Sequence, residues 1–160
     1  MTTIRLATND DRSAVWPIIR EVIAAGDTYV FVPDSPEGEM LDYWFSPDKH
    51  TYVSELDGEI AGTLWIKANQ PGLGSHVANA AYMVASAARG KGVGRHMALW
   101  SLDEAKRLGF TAMQFNFVVK NNPAVKLWQS LGFEIVGEIP VAFNSKVSGM
   151  TNAYLMYRKL

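Results

Sequence analysis

A chain of 160 residues with a formal net charge of -1 lacks the strongly basic balance of a general nucleic-acid binder. It has no cysteine, which excludes a disulfide framework, a thiolate nucleophile and a cysteine-ligated metal. His50, His76 and His96 lack the i, i+4 pairing of a helical zinc motif, and no run reaches the roughly 18 apolar residues that span a bilayer. The expectation is a single cytoplasmic domain over residues 1–160, with no metal, nucleic-acid or membrane partner.

The segment "TTIRLA" alternates apolar and polar residues and predicts a short first strand. Asn9, Asp10 and Asp11 supply caps for a helix running to about Ala25 and stopped by Gly26. "DSPEGEMLDYWF" opens a second helix, with Ser35 as cap and Pro36 in its first turn. "TYVSELDGEIAGTLWIKA" is two β-rich runs around Asp57-Gly58, a hairpin signal. A loop through Pro71, Gly72 and Gly74 leads to a strand, "HVANAAYMVA", that runs straight into a glycine turn. After that turn Val93, Met97, Trp100, Ala105 and Leu108 form a helical stripe closed by Gly109. "TAMQFNFVV" is a further strand, and "NNPAVKLWQSLGF" a short helix stopped by Gly132. "FEIVGEI" and "NAYLMYRKL" are strand-like on either side of a loop from Pro140 to Thr151. The order βααβββαβαβ(β) gives an α/β fold, a mixed sheet flanked by helices.

The glycine turn, Arg89 to Arg95, follows a strand and opens a helix, so its first amides lack internal partners and favour an anion. A mononucleotide loop would read GxxxxGK[ST], which is absent, and a dinucleotide turn would read GxGxxG, whose third spacing fails here. Arg-x-x-Gly-x-Gly, Arg89 to Gly94, does fit. With it go "YMV" before Arg89 and a second stretch, Asn121-x-x-Ala124…Leu127-Trp128…Leu131-Gly132-Phe133. In these two motifs and their order the chain resembles the GCN5-related N-acetyltransferases (GNAT) along nearly its whole length.

That resemblance implies a mostly antiparallel sheet splayed between its fourth and fifth strands, with about four helices, binding acetyl-coenzyme A (acetyl-CoA). It implies that Met83 and Val84 bind the pantetheine arm through their backbone. Residues Arg89, Gly90, Lys91, Gly92, Val93, Gly94 and Arg95 would hold the pyrophosphate, and Asn121, Asn122, Ala124 and Trp128 would flank the coenzyme. The Val84 N–H would stabilise the thioester oxygen as it becomes an oxyanion. The chain departs from the family at Trp128, where a tyrosine usually protonates the leaving thiolate; an indole N–H donates a hydrogen bond but is no general acid. The sequence names no base for the acceptor amine.

Asn79 and Asn116 stand inside strands, where asparagine is disfavoured, so each either pairs at an edge or bulge or lines a polar pocket. Gln114 and Asn116 share one face of their strand, and Met113, Phe115, Phe117 and Val119 the other. "NAAYMV", "FNFVV", "NNPAVKLW" and "PVAF" resemble the GNAT subgroup that includes fungal acetyltransferases of L-azetidine-2-carboxylate and related imino acids. The resemblance implies acceptor roles for Asn79 and Asn116, a small amino- or imino-acid acceptor and a homodimer. Tyr29 and Phe31, in the loop between the first two helices, are further acceptor candidates. A second reading of the same resemblance is an acetyl-CoA-binding sensor made catalytically weak by Trp128.

Overall fold

The computed structural model describes residues 1–160. Its strands are β1 (Thr2–Leu6), β2 (His50–Leu56), β3 (Glu59–Ala68), β4 (Val77–Val84), β5 (Ala112–Val119), β6 (Glu134–Ser145) and β7 (Gly149–Lys159). The helices are α1 (Arg12–Ala25), α2 (Glu37–Trp44), α3 (Val93–Arg107) and α4 (Ala124–Ser130). The strands form one seven-stranded sheet in the order β1-β2-β3-β4-β5-β7-β6. All neighbours are antiparallel except β4 and β5, whose parallel ladder consists of Val77↔Ala112 and Ala78↔Met113 alone. Beyond Ala78 the two strands diverge, and a gap opens in the middle of the sheet.

Side chains alternate across each strand, so the central strands β2, β3 and β4 serve two cores. On one face, α3 and α4 bury Val93, Met97, Leu102 and Trp128 against Ala78, Ala80 and Phe115. On the other, α1 and α2 bury Ile19, Ile23, Met40 and Trp44 against Trp65, Ala81 and Met83. β4 thus sends its even-numbered side chains to the α3 face and its odd-numbered ones to the α1 face. At the start of α1, Asp11 accepts hydrogen bonds from the Thr8 N–H (2.7 Å) and from two Arg5 nitrogens (2.8 and 2.9 Å). The Arg5 guanidinium holds the Asp11 carboxyl well below the usual carboxylate range.

Four local expectations need correction. Helix α2 begins at Glu37 after Pro36, and the Ser35 hydroxyl bonds back to the Val32 carbonyl (2.6 Å) instead of capping the helix. β4 does not run straight into the glycine turn, because a 3-10 turn over Ser86–Ala88 intervenes. The expected loop from Pro140 to Thr151 is mostly strand: β6 reaches Ser145 and β7 starts at Gly149. Pro140 is tolerated there because β6 is the edge strand, where a missing N–H leaves no neighbour unpaired. A register shift between Ile139 and Phe143 absorbs it, with Val141 at φ 51° and its N–H taken by Asn152 Oδ1 (2.9 Å). On β5 the expected alternation stops at Phe115, since the register shifts between Phe115 and Val118. Val118 is buried in place of Phe117, which is only half-buried.

Candidate active site

The glycine turn is built for an anion. Gly90 and Gly92 hold φ of 75° and 81°, the left-handed region that suits glycine, and a Cβ added at either would meet nothing within 4 Å. Packing therefore does not explain these glycines; backbone shape and open space for a ligand do. Gly92 is the N-cap of α3 and supplies no side-chain cap. The N–H groups of Gly90, Gly92, Val93, Gly94 and Arg95 have no partner in the chain. Arg89, Lys91 and Arg95 are exposed and enter no ion pair. Convergent free amides at the positive end of a fifteen-residue helix, ringed by three free cations, fit a diphosphate.

The turn leads into the gap between β4 and β5, a cleft of about 530 Å³. Among the sequence-predicted residues, Tyr29, Phe31, Asn79, Met83, Val84, Arg89, Gly94, Asn116, Asn122, Ala124 and Trp128 line it. Gly90, Lys91, Gly92, Val93 and Arg95 lie at the adjoining turn, outside the cleft proper. Asn121 is exposed and does not line the cleft; its neighbour Asn122 does, with Oδ1 accepting the Ala124 N–H (2.9 Å) at the start of α4.

Backbone direction sorts the residues of β4. The Ala85 N–H bonds Ala61 and the Asn69 N–H bonds Val77, so odd-numbered residues of β4 face β3. Met83, opposite Thr63, is therefore engaged in that ladder, and its backbone is not free for a pantetheine arm. Ala80, Tyr82 and Val84 face the gap instead. The Ala80 N–H is taken by Asn79 Oδ1 (2.8 Å) and the Tyr82 N–H by the Tyr29 hydroxyl (3.0 Å). The Val84 N–H has no partner. It is the one cleft-facing amide of β4 left to donate.

On the α3 face, Trp128 packs against Phe115 (4.6 Å between ring centroids), Tyr82 (4.9 Å) and Phe133 (5.5 Å). Its indole N–H makes no hydrogen bond within the chain and is not sealed from solvent, and the residue lines the cleft. On the α1 face the wall is aromatic: Tyr29 stacks on Phe31 (6.1 Å), Phe31 meets Tyr43 edge-on (5.1 Å), and Tyr43 meets Trp65 (6.5 Å). A chain of amides forms the rim, with Gln114 Nε2 donating to Asn116 Oδ1 (3.0 Å) and Asn116 Nδ2 donating to Asn69 Oδ1 (2.6 Å). Asn116 thus ties β5 to the end of β3 across the mouth of the gap.

Sequence reasoning missed Tyr82, Trp65, Asn69 and Asp27. Asp27 is the one carboxylate lining the cleft, and it forms no hydrogen bond or ion pair. Burial pushes the hydroxyls of Tyr29 and Tyr82 far above the ordinary tyrosine range, so both stay neutral. His76 and His96 are exposed and outside the cleft. No group of three or more His, Asp or Glu side chains is placed to hold a metal ion. No helix is long and apolar enough to cross a membrane.

The acetyltransferase (GNAT) family model matches residues 16–133. The chain belongs to the acetyltransferase (GNAT) family. A solved GCN5-related N-acetyltransferase from Kribbella flavida is 41% identical, with TM-score 0.93 over 99% of this chain and 98% of its own. N-acetyltransferase aca1 of Schizosaccharomyces pombe is 35% identical over 151 residues, 83% of this chain and 72% of the relative. A GNAT superfamily phosphinothricin acetyltransferase from Sinorhizobium meliloti, solved in complex with acetyl-CoA, shares the fold at 21% identity, with TM-score 0.86 over 99% of this chain and 88% of its own. This GNAT chain is accordingly an acetyl-CoA-dependent N-acetyltransferase. The match at residues 16–133 takes in both the glycine turn and the second motif up to Phe133.

Proposed function

We propose that the chain transfers the acetyl group of acetyl-CoA to the amine of a small amino- or imino-acid acceptor held on the α1 side of the gap. The observation that carries this reading is the line of unpaired donors: the free amides of Gly90, Gly92, Val93, Gly94 and Arg95 for the diphosphate, then the free Val84 N–H for the thioester oxygen. A cleft of about 530 Å³ must take the pantetheine arm as well, which leaves room only for a small acceptor. The aromatic wall of Tyr29, Phe31, Tyr43 and Trp65 suits its hydrocarbon part. Asn79, whose Oδ1 is occupied, offers its Nδ2 hydrogens to a carboxylate.

The amine arrives as an ammonium and must lose a proton before it attacks the thioester carbonyl. Asp27 is the group placed to receive it, through water. The Val84 N–H then takes the charge that develops on the carbonyl oxygen. The tetrahedral intermediate gives up its extra nitrogen proton to water and collapses by breaking the carbon–sulfur bond; coenzyme A departs as the thiolate, with the Trp128 N–H as a hydrogen-bond donor in the same cleft.

Two variants test the roles. Asp27→Asn is expected to lower kcat about 100-fold at neutral pH. Its activity should climb as the pH is raised and the amine deprotonates unaided, while the KM for acetyl-CoA stays within about twofold. A neutral-pH kcat equal to wild type removes Asp27 from the mechanism. Asn116→Ala opens the rim, and is expected to raise the acceptor KM about tenfold, the loss of roughly one hydrogen bond. A raised acetyl-CoA KM with an unchanged acceptor KM would move Asn116 to the coenzyme side. The function itself is tested by thiol release from acetyl-CoA across amino acids, imino acids and their decarboxylated amines. Tight coenzyme binding with no acceptor-dependent release would favour the sensor reading.

A further inference from the structure

Lys49, in the link between α2 and β2, is a buried cation for which the acetyl transfer described above has no use. Its side chain is 3% exposed, and a lysine is rarely so covered without a partner that needs it there. The Nζ donates to Ser46 Oγ (2.7 Å) and lies 3.5 Å from a carboxylate oxygen of Asp48. Asp48 is shared, because Lys67 Nζ reaches it at 3.2 Å. Two cations thus face one carboxylate, and one positive charge is left over. The Lys49 Nζ also lies over two rings, 4.1 Å from the centroid of Tyr43 and 5.3 Å from that of Trp65. Both rings line the cleft and Lys49 does not, so the ammonium stands behind the aromatic wall. Burial pulls the Lys49 pKa below the ordinary lysine value, and Asp48 opposes that pull.

A wall of Tyr29, Phe31, Tyr43 and Trp65 would by itself make a cage for an ammonium group, since ring faces are negative and attract a cation. For acetyl transfer that is the wrong seat. The amine must shed its proton and reach the thioester, whereas a cage would hold it charged against the wall. We propose that Lys49 determines acceptor specificity: its ammonium engages Tyr43 and Trp65 from behind, so the wall turns away a cationic group and the acceptor lies with its amine toward the thioester. Lys67, the second cation of the cluster, pairs across the strands with Asn79, so the same excess charge favours a carboxylate at the Asn79 amide. Buried charge of this kind is screened little by salt. The inference rests on the acetyl-transfer reading above and deepens it: the preferred acceptor carries a carboxylate, and the decarboxylated amine is the poorer substrate.

Choline and 3,3-dimethylbutan-1-ol share one shape, the first with a cation and the second without, so the pair reads the wall directly. Each is measured as an inhibitor competing with the acceptor, in the wild type and in Lys49→Met, which keeps an unbranched side chain and removes its charge. Choline should bind Lys49→Met about 10-fold tighter than the wild type, while the alcohol changes less than about threefold. Asp27 lines the cleft in both proteins and cancels from the comparison. A damaged fold does not reproduce this result, since it would not gain affinity for the cation alone. Equal choline affinity in the two proteins overturns the proposal. So does a lack of inhibition by either compound, because the acceptor then does not touch the wall.

The same variant is assayed with an amino acid and with its decarboxylated amine. For the amino acid, kcat/KM should fall about 10-fold; for the amine, KM and kcat should fall together and leave kcat/KM nearly unchanged, the mark of an unproductive seat. A proportionate loss of kcat/KM for both acceptors shows a merely structural lysine and overturns the proposal. Wild-type protein that binds acetyl-CoA yet acetylates neither acceptor takes down the reading on which the proposal rests. If Lys49→Met does not fold, the wild type decides: a preference for choline over the alcohol beyond about threefold overturns the proposal.

Discussion

Gly92→Asp is expected to weaken acetyl-CoA binding at least about 100-fold, close to 3 kcal/mol, in a protein that remains folded. The fold is spared for two reasons. A Cβ at Gly92 meets no heavy atom within 4 Å, and aspartate is among the residues that tolerate a φ of 81° at modest cost. The binding loss has three sources that act together. The new side chain occupies the open space in which the diphosphate must approach the backbone. Its charge faces an anion where Arg89, Lys91 and Arg95 otherwise supply only cations. Its carboxylate can also turn onto the free amides of Val93, Gly94 and Arg95, capping α3 as acidic N-caps do and competing for those donors. A φ of 81° still strains any side chain, so the variant should melt slightly below the wild-type temperature while calorimetric titration with acetyl-CoA shows the loss. A folded Gly92→Asp protein with wild-type affinity would place the diphosphate elsewhere.

Local signals carried the turn because every part of it is contiguous in sequence. A strand, six residues with glycine at fixed spacing, and an apolar helical stripe are short-range features, and the structure realises each within a residue or two. The splayed sheet was expected on resemblance, and the structure gives its physical form: a parallel ladder two pairs long, then divergence. What escaped the sequence is long-range or depends on register. Tyr29 and Tyr82 are 53 residues apart, and nothing in either neighbourhood announces that one caps the backbone of the other. The β5 shift after Phe115 defeats simple alternation, since one irregularity exchanges the faces of every residue beyond it. Asn121 and Asn122 are adjacent, so spacing alone could not say which faces the cleft. Pro140 read as a loop residue because the edge position that tolerates it is a property of strand order, which the local sequence does not contain. Met83 was expected to share the coenzyme with Val84; only the pairing of β4 with β3 shows that the two backbones face opposite ways.

That opposition makes a sharp second prediction. Val84→Pro deletes the one free cleft-facing N–H of β4 and should lower kcat about 100- to 1000-fold, the loss seen when a preorganised oxyanion donor is removed. The deleted N–H belongs to no ladder, so proline is tolerated there as on an edge strand, and the melting temperature should fall only slightly. On the proposed reading acetyl-CoA affinity should change far less than kcat, because the diphosphate would be held at the glycine turn and Val84 would act chiefly on charge that develops in the transition state. Met83→Pro is the internal control one residue earlier. Its N–H pairs with β3, so the same substitution there should cost the fold about 1–3 kcal/mol through an unpaired ladder carbonyl, with kcat falling only as far as the folded fraction does. Met83 is buried and Val84 half-buried, so Met83→Ala and Val84→Ala are measured beside them, and the excess loss in each proline variant reports which way that N–H points. Equal losses of stability in both would mean that β4 pairs on both sides in solution. An undiminished kcat in a folded Val84→Pro protein would hand the oxyanion to another donor, and with Ala80 covered by Asn79 the first to examine is Tyr82, released from Tyr29.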